Sequence, residues 1–332
     1  MVQALGWGVL TAGLFQLALQ FPSLRSSGLL LAGAVDPEAR VRAKRVLRDA
    51  LPLAVGAAVY QINVLIDGWM AEGLLSDGGP TLYYYANRLQ QLPMALISIS
   101  ATTAAFPALL VLGQSGDLGG LRELHDKTQR GVVYLLLPAA VGLYILAGPE
   151  ISALLEHGEF GSEGVTRATP ALQYLTLGLL PAGAALLATR VYISMGDKRT
   201  PVVLSIASLG LNTGLNVFFL TVLEWDIEGL ALGTAISSWL HLALLLRGHR
   251  RLGLPKTLEG TTSLLGRILL ASLAMGAVAY FVEANLRDLW GQIGSLCAAI
   301  CAGAAAYFLF AGILRIQTQK ILFGRILKRL RP

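Results

Sequence analysis

Charge is scarce in this chain. Asp, Glu, Lys and Arg make up 14% of 332 residues, against 55% apolar, whereas a soluble domain is about 25% charged. A mean hydropathy of +0.62 would leave a water-soluble fold too little polar surface, and a bilayer removes that difficulty. Cysteine is nearly absent. Cys297 and Cys301 stand four apart in one apolar run and are expected to pack as small apolar residues rather than to pair or bind metal. The four histidines are isolated, and the chain has no P-loop, no G-x-S-x-G elbow and no H-E-x-x-H pair, so nothing supports an enzyme. The first apolar run follows Met1, Val2 and Gln3 without a basic flank or a small-residue cleavage site. It is expected to be a retained helix rather than a signal peptide.

What is present is a set of nine long apolar stretches, at 3–21, 50–71, 83–112, 129–148, 165–194, 200–222, 227–246, 262–284 and 290–314. Each reaches the roughly 20 residues that cross a bilayer core as a helix, and they predict an all-α polytopic transmembrane bundle of about nine spans. Their connections alternate in charge. Arg25, Arg40, Arg42, Lys44, Arg45 and Arg48 lie in the first, Glu72 and Asp77 in the second, and Arg122, Lys127 and Arg130 in the third. Glu150 to Glu163 is acidic, Lys198 and Arg199 are basic, Glu224, Asp226 and Glu228 are acidic, and Arg247 to Arg267 is basic. Glu283 to Asp288 is mixed, and the tail from Arg315 to Arg331 is basic. Because cytoplasmic loops retain Lys and Arg, the pattern orients every span and puts the C-terminus inside. The net charge of +6 then belongs to inner loops and tail, which predicts contact with anionic membrane lipids and implies no nucleic-acid partner.

The organisation expected is a single transmembrane helix at 1–22, a cytoplasmic loop at 23–49, a lobe of six transmembrane helices at 50–247, two additional transmembrane helices at 248–314 and a basic amphipathic cytoplasmic tail at 315–332. Within it, residues 37–49 and 317–330 alternate basic and apolar positions at helical spacing. The second predicts an interfacial helix, whereas for the first a polar loop fits equally well. Pro93, Pro107, Pro138, Pro170 and Pro181 lie in or near spans, where a missing i to i−4 hydrogen bond favours bends of the sort a rocking transporter uses.

Polar side chains inside the spans are the candidate functional residues, because each is costly unless it meets a partner or a cavity. Arg88 lies within the third span. Its planar fork suits a diphosphate held through two oxygens, and snorkelling to the outer interface explains it equally well. Asp67, Asn212, Asn216 and Thr234 offer carboxylate, amide and hydroxyl oxygens from three spans, the ligands of a hard cation such as Na+. The alternative is that the asparagines hydrogen-bond across helices as packing groups while Asp67 is protonated or paired. His241 reads more readily as structural than as a site. Arg167 and Arg190 are expected to snorkel, and Glu156, His157 and Glu159 to form a solvated outer loop.

The stretch Tyr83-Tyr84-Tyr85-Ala86-Asn87-Arg88-Leu89-Gln90-Gln91-Leu92-Pro93 resembles the Y-A-D-R-L-x-x-x-P signature of the bacterial lipid II flippases (MurJ, or MviN), of the multidrug/oligosaccharidyl-lipid/polysaccharide exporter superfamily. His157-Gly158-Glu159-Phe160, Gly196-Asp197-Lys198-Arg199-Thr200-Pro201 and Ala305-Ala306-Tyr307-Phe308 follow in that family's order. The resemblance covers essentially the whole chain. It implies that the first span is similar to the sixth of the family's fourteen, so that the chain is a C-terminal portion lacking about five N-terminal helices. It implies a flippase in the bacterial inner membrane, with Arg88 at a central cavity, lipid II (the undecaprenyl-diphosphate-linked peptidoglycan precursor) as substrate, and the absent N-terminal lobe as partner. Sodium coupling in the wider superfamily favours the cation reading of Asp67, with Na+ as a possible coupling ion and no other cofactor. Asn87 departs from the signature, replacing its Asp and removing an ion-pair partner for Arg88. Two further readings are an exporter of another lipid-linked polysaccharide or drug, and a non-transporting membrane scaffold.

Overall fold

A computed structural model describes residues 2–27, 37–156, 160–251, 261–316 and 318. The expected tail helix at 317–330 and the His157-Gly158-Glu159 turn fall outside the described residues, apart from Thr318. All regular elements among the described residues are helices, the form in which an isolated apolar run satisfies its own backbone polar groups in lipid. The chain divides into two units, Met1–Leu51 and Pro52–Pro332. The first holds α1 (Val2–Ser26), apolar on all faces, and the beginning of α2 (Pro37–Leu74). Residues 37–49 and 50–71, expected as separate elements, are thus both helical within α2.

The second unit continues with α3 (Gly79–Pro93), which passes through one π-helical turn (Met94–Ile99) into α4 (Ser100–Ser115). Pro93 ends α3, and its missing N–H removes one bond of the α ladder. The α pattern resumes at Ser100. Gly116, at φ 75°, closes α4 in the left-handed region that favours glycine. The Asp117 carboxylate then accepts from Gly120 N–H at 2.9 Å and begins α5 (Leu118–Ile145). A short α6 (Ala147–Leu155) leads to α7 (Ser162–Ser194). Asp197 accepts from the N–H groups of Arg199 and Thr200, at 3.1 and 3.0 Å, to start α8 (Arg199–Val217), which ends in a second π turn (Phe218–Val222). α9 (Ile227–Arg251) and α10 (Thr261–Ile313) complete the unit.

Among the described residues six helices are long and apolar enough to cross a membrane: Gly79–Ser115, Leu118–Ile145, Ser162–Ser194, Arg199–Val222, Ile227–His249 and Ser263–Ile313. The last holds two of the expected spans, because Gly291 (φ 68°, ψ −178°) breaks the helix. Residues twelve positions either side of it meet: a Cβ built on Gly303 would lie 3.2 Å from Ala279 Cβ. The two limbs therefore fold back on each other. They dock on α5 through Tyr307, whose ring lies 5.3 Å from that of Tyr134 and whose hydroxyl donates to the Tyr134 carbonyl at 2.5 Å.

α7 is the centre of the bundle. About two thirds of its most apolar window is buried, against 17% to 39% for the other candidate spans, and Ala168, Ala171, Leu172, Leu175, Leu179 and Leu187 are almost completely enclosed. α9 comes close because both helices are small where they cross: a Cβ on Gly178 would stand 2.9 Å from Ala235 Cα, the small-residue contact that membrane helices use. Outside, Trp69, Leu96 and Leu289 are about three-quarters exposed, a surface suited to lipid rather than water. Cys297 and Cys301 are free and belong to this exposed surface. Expected to pack as small apolar residues, both are unpaired but exposed rather than enclosed by neighbours.

Candidate functional site

Three helices bring polar side chains together near the middle of the second unit. α2 carries Asn63 and Asp67 one turn apart, α8 carries Asn212 and Asn216 one turn apart, and α9 carries Thr234. Equal i, i+4 spacing on α2 and α8 lets the pairs face each other rung by rung. Asn216 Nδ2 donates to Asp67 Oδ1 at 2.9 Å, and Asn63 Nδ2 donates to Asn212 Oδ1 at 2.8 Å. Asn212 Nδ2 lies 3.3 Å from both Thr234 Oγ1 and Ser237 Oγ, and Tyr83 Oη lies 3.4 Å from Thr234 Oγ1. With its amide turned end for end, Asn212 donates instead to Asp67 Oδ1 at 3.1 Å and accepts from Thr234 N–H at 3.3 Å. Either way Asp67, Asn212, Asn216 and Thr234 form one connected cluster. Asp67 is 7% exposed and Asn216 fully enclosed, so the cluster lies in a low-dielectric setting where unmet polarity is expensive.

That cluster has the donor set of a small hard cation. It offers one carboxylate, two amide oxygens and one hydroxyl, and no basic side chain is paired with Asp67 among the described residues. Asn216 Oδ1 is buried without a hydrogen-bond partner. A half-turn of that amide would exchange the N–H now facing Asp67 for an oxygen, as a cation ligand requires. The room for Asn216 comes from Gly233, where a Cβ would sit 2.2 Å from Asn216 Oδ1. One side of the cluster opens on a cavity of about 550 Å³, also lined by Asn87, Gln90, Gln91 and His241.

Arg88 is not among the residues lining this cavity. Its neighbours Asn87, Gln90 and Gln91 turn towards the cavity, while Arg88 occupies the exposed face of α3. There its Nε donates to Tyr84 Oη and its Nη1 to Gln91 Oε1, both at 3.1 Å, with the guanidinium 5.3 Å from the Tyr84 ring centre. Tyr84 and Gln91, at i−4 and i+3, thus hold the head in place.

Arg167 does not snorkel. Its Nη2 donates to Asp226 Oδ2 at 2.9 Å and its Nη1 to the Asp77 carbonyl at 2.8 Å, and it also reaches Ser76 Oγ. Ser76 closes the group, its N–H and hydroxyl donating to the Asp226 carboxylate at 3.1 and 2.7 Å. Partial burial raises the Asp226 carboxyl, but hydrogen bonds from Ser76 and Arg167 and the Arg167 charge outweigh it and hold the carboxyl below its ordinary 3.8. Arg190 likewise has a partner, its guanidinium 4.9 Å from the Phe106 ring centre. Glu156 is half-buried and accepts from Ser152 and Gln292 rather than standing in solvent.

The family model described as lipid II flippase MurJ matches residues 1–300. The chain belongs to the lipid II flippase MurJ family. Among curated relatives, the probable lipid II flippase MurJ of Vibrio cholerae is 30% identical over 95% of this chain and 60% of its own length. That of Rhizobium meliloti is 29% identical over 92% of this chain and 58% of its own. The chain therefore spans about three fifths of the length of the curated relatives it matches. A solved lipid II flippase MurJ in an inward closed conformation superposes with a TM-score of 0.69 at 23% identity, covering 89% of this chain and 59% of the solved one. A MATE transporter in complex with MaD3S superposes at 0.51 and 17% identity, over 83% and 67%. Both share the fold.

In this MurJ-family chain the sequence pointed to four members of the polar cluster and missed Asn63, Ser237 and Tyr83. Asn63 had a signal, since it precedes Asp67 by one turn in an apolar run. Ser237 and Tyr83 had none, because serine and tyrosine are ordinary residues of membrane helices.

Proposed function

We propose that this chain forms the C-terminal lobe of a lipid II flippase, which carries the undecaprenyl-diphosphate-linked peptidoglycan precursor from the inner to the outer leaflet of the bacterial inner membrane by alternating access. The match of the family model over residues 1–300 carries this reading. In it, the headgroup diphosphate meets Arg88 at the exposed face of α3, where Tyr84 and Gln91 preset the guanidinium and two parallel hydrogen bonds can grip two phosphate oxygens. Asp67, Asn212, Asn216 and Thr234 would hold Na+ as the coupling ion and supply the energetic link to a gradient. The basic connections and the C-terminus lie in the cytoplasm against anionic lipids. A substrate cavity between two lobes needs both of them, so residues 1–332 alone are not expected to transport.

Complementation tests the reading. In cells depleted of their own flippase, this chain joined behind the N-terminal part of a longer relative should restore growth, while residues 1–332 alone should not. In the joined protein Arg88→Ala should insert at the normal level yet lower transport roughly ten- to a hundredfold, the equivalent of about 1.5–3 kcal/mol for a charged hydrogen bond. Arg88→Lys should retain part of the activity, keeping charge but losing the fork. Growth at the unsubstituted level with Arg88→Ala would remove Arg88 from the substrate path.

A further inference from the structure

The cavity beside Asp67 continues well past the cation cluster. On α9, Thr234, Ser237 or Ser238, and His241 line it at helical intervals of three or four residues, so one face of α9 supplies a polar stripe. α8 supplies a matching stripe from Asn212 through Ser208 to Ser205. The stripes run alongside each other: Asn212 pairs with Thr234, and one turn further Ser208 Oγ donates to the Ser237 carbonyl at 3.1 Å. His241 is the end of the α9 stripe, seven residues and so about 10 Å of helix beyond Thr234.

The titratable side chains lining this space are few. α2 contributes Asp67, α3 contributes Tyr83 and α9 contributes His241, while the α7 and α8 linings are apolar, hydroxyl or amide groups. Arg88 on α3 and Arg190 on α7 each adjoin a lining residue, and Arg247 lies six positions beyond His241 on α9, but none of the three is part of the lining. Of the three, a histidine is the side chain that ordinarily changes charge between pH 5 and 8. Its charge would enter the same low-dielectric space as the cation.

We propose that this cavity is the route by which the cation reaches the Asp67 cluster and that His241 sets its occupancy, admitting the cation when neutral and opposing it when protonated. The proposal rests on the cation reading of Asp67 given above. A unit positive charge about 10 Å from the bound ion, at an effective dielectric near 20, lowers affinity roughly tenfold. Proton and cation would then exclude each other from one cavity without sharing a ligand, which ties cation loading to the pH on the side where the cavity opens.

The test is sodium-dependent thermal stabilisation of the purified chain in nanodiscs, at constant ionic strength with choline as the replacement cation, at pH 5.5 and pH 8. The unsubstituted chain should show an apparent Na+ affinity roughly tenfold weaker at pH 5.5. His241→Gln should bind with the pH 8 affinity at both values. His241→Arg, a fixed positive charge, should bind with the weaker affinity at both. Asp67→Asn should show no sodium response. Sodium stabilisation that is equal at the two pH values, or whose pH dependence survives in His241→Gln, overturns the role of His241 while leaving the cation site standing. Sodium stabilisation that is absent at both pH values, or is the same in Asp67→Asn, overturns the cation site itself and the proposal with it.

Discussion

Arg167, which hydropathy alone assigns to the membrane interface, holds three segments together. The connection after α2 supplies Ser76 and Asp77, α7 supplies Arg167, and the connection before α9 supplies Asp226. Both charged partners are somewhat over a quarter exposed, so the pair is neither a screened surface contact nor a fully desolvated one. We expect Arg167→Ala or Asp226→Asn to destabilise the second unit by about 1–2 kcal/mol in reversible unfolding, and the double variant to cost little more than either single one. The pH dependence has a definite sign. A carboxyl held below its ordinary value contributes stability above pH 3.8 and loses it as pH falls through the folded-state value. The acid limb of the unfolding curve should therefore flatten in Asp226→Asn. What was legible at this scale follows from cost. Asp67, Asn212 and Asn216 stand out of apolar runs because a polar group there demands a partner. Arg167 is equally conspicuous, but its partner lies 59 residues away, and no periodicity reports a contact of that range.

At the scale of elements, the first π-helical turn lines the polar cavity through Met94, Ala95 and Ile99, and the second follows closely on the polar cluster. The first separates the part of α3 that carries Tyr83, Asn87 and Gln91 from α4, and the second begins two residues after Asn216. Turns of this kind occur disproportionately at functional sites. Pro93 foreshadows the first as a bend, whereas nothing in Phe218–Val222 distinguishes the second from ordinary apolar helix. Elsewhere the helices were legible because bilayer thickness sets their length, and Tyr307 was legible only as part of a motif. Its hydroxyl anchors the α10 pair to α5. Tyr307→Phe is expected to cost about 0.6 kcal/mol, the average for hydrogen bonds between membrane helices, and at most about 1.7 kcal/mol. Measuring this by urea or SDS unfolding checks it, and no loss would reduce the contact to ring packing.

For the whole molecule, orientation can be read out directly. With Cys297 and Cys301 changed to Ala, which their exposed positions should tolerate, a thiol at Asp77 should react in intact cells with a membrane-impermeant reagent. A thiol at Ser115 should react only after permeabilisation; the reverse would invert every span. The alternating charges predict this arrangement, but the pairing of the last two spans into a hairpin was not legible, since a charge pattern counts crossings and says nothing of which ones touch. That hairpin also shows which agent folds it. A straight helix of 51 residues would measure about 77 Å, more than twice the roughly 30 Å of a bilayer core, so in a membrane the unbroken helix is not an available competitor. Lipid thickness compels a reversal somewhere in α10, and the left-handed Gly291 chooses only its address. Gly291→Ala should accordingly leave the tail in its own compartment, measured by a C-terminal fluorescent fusion. The cost is about 1–2 kcal/mol of backbone strain, or a slip of the turn by a residue.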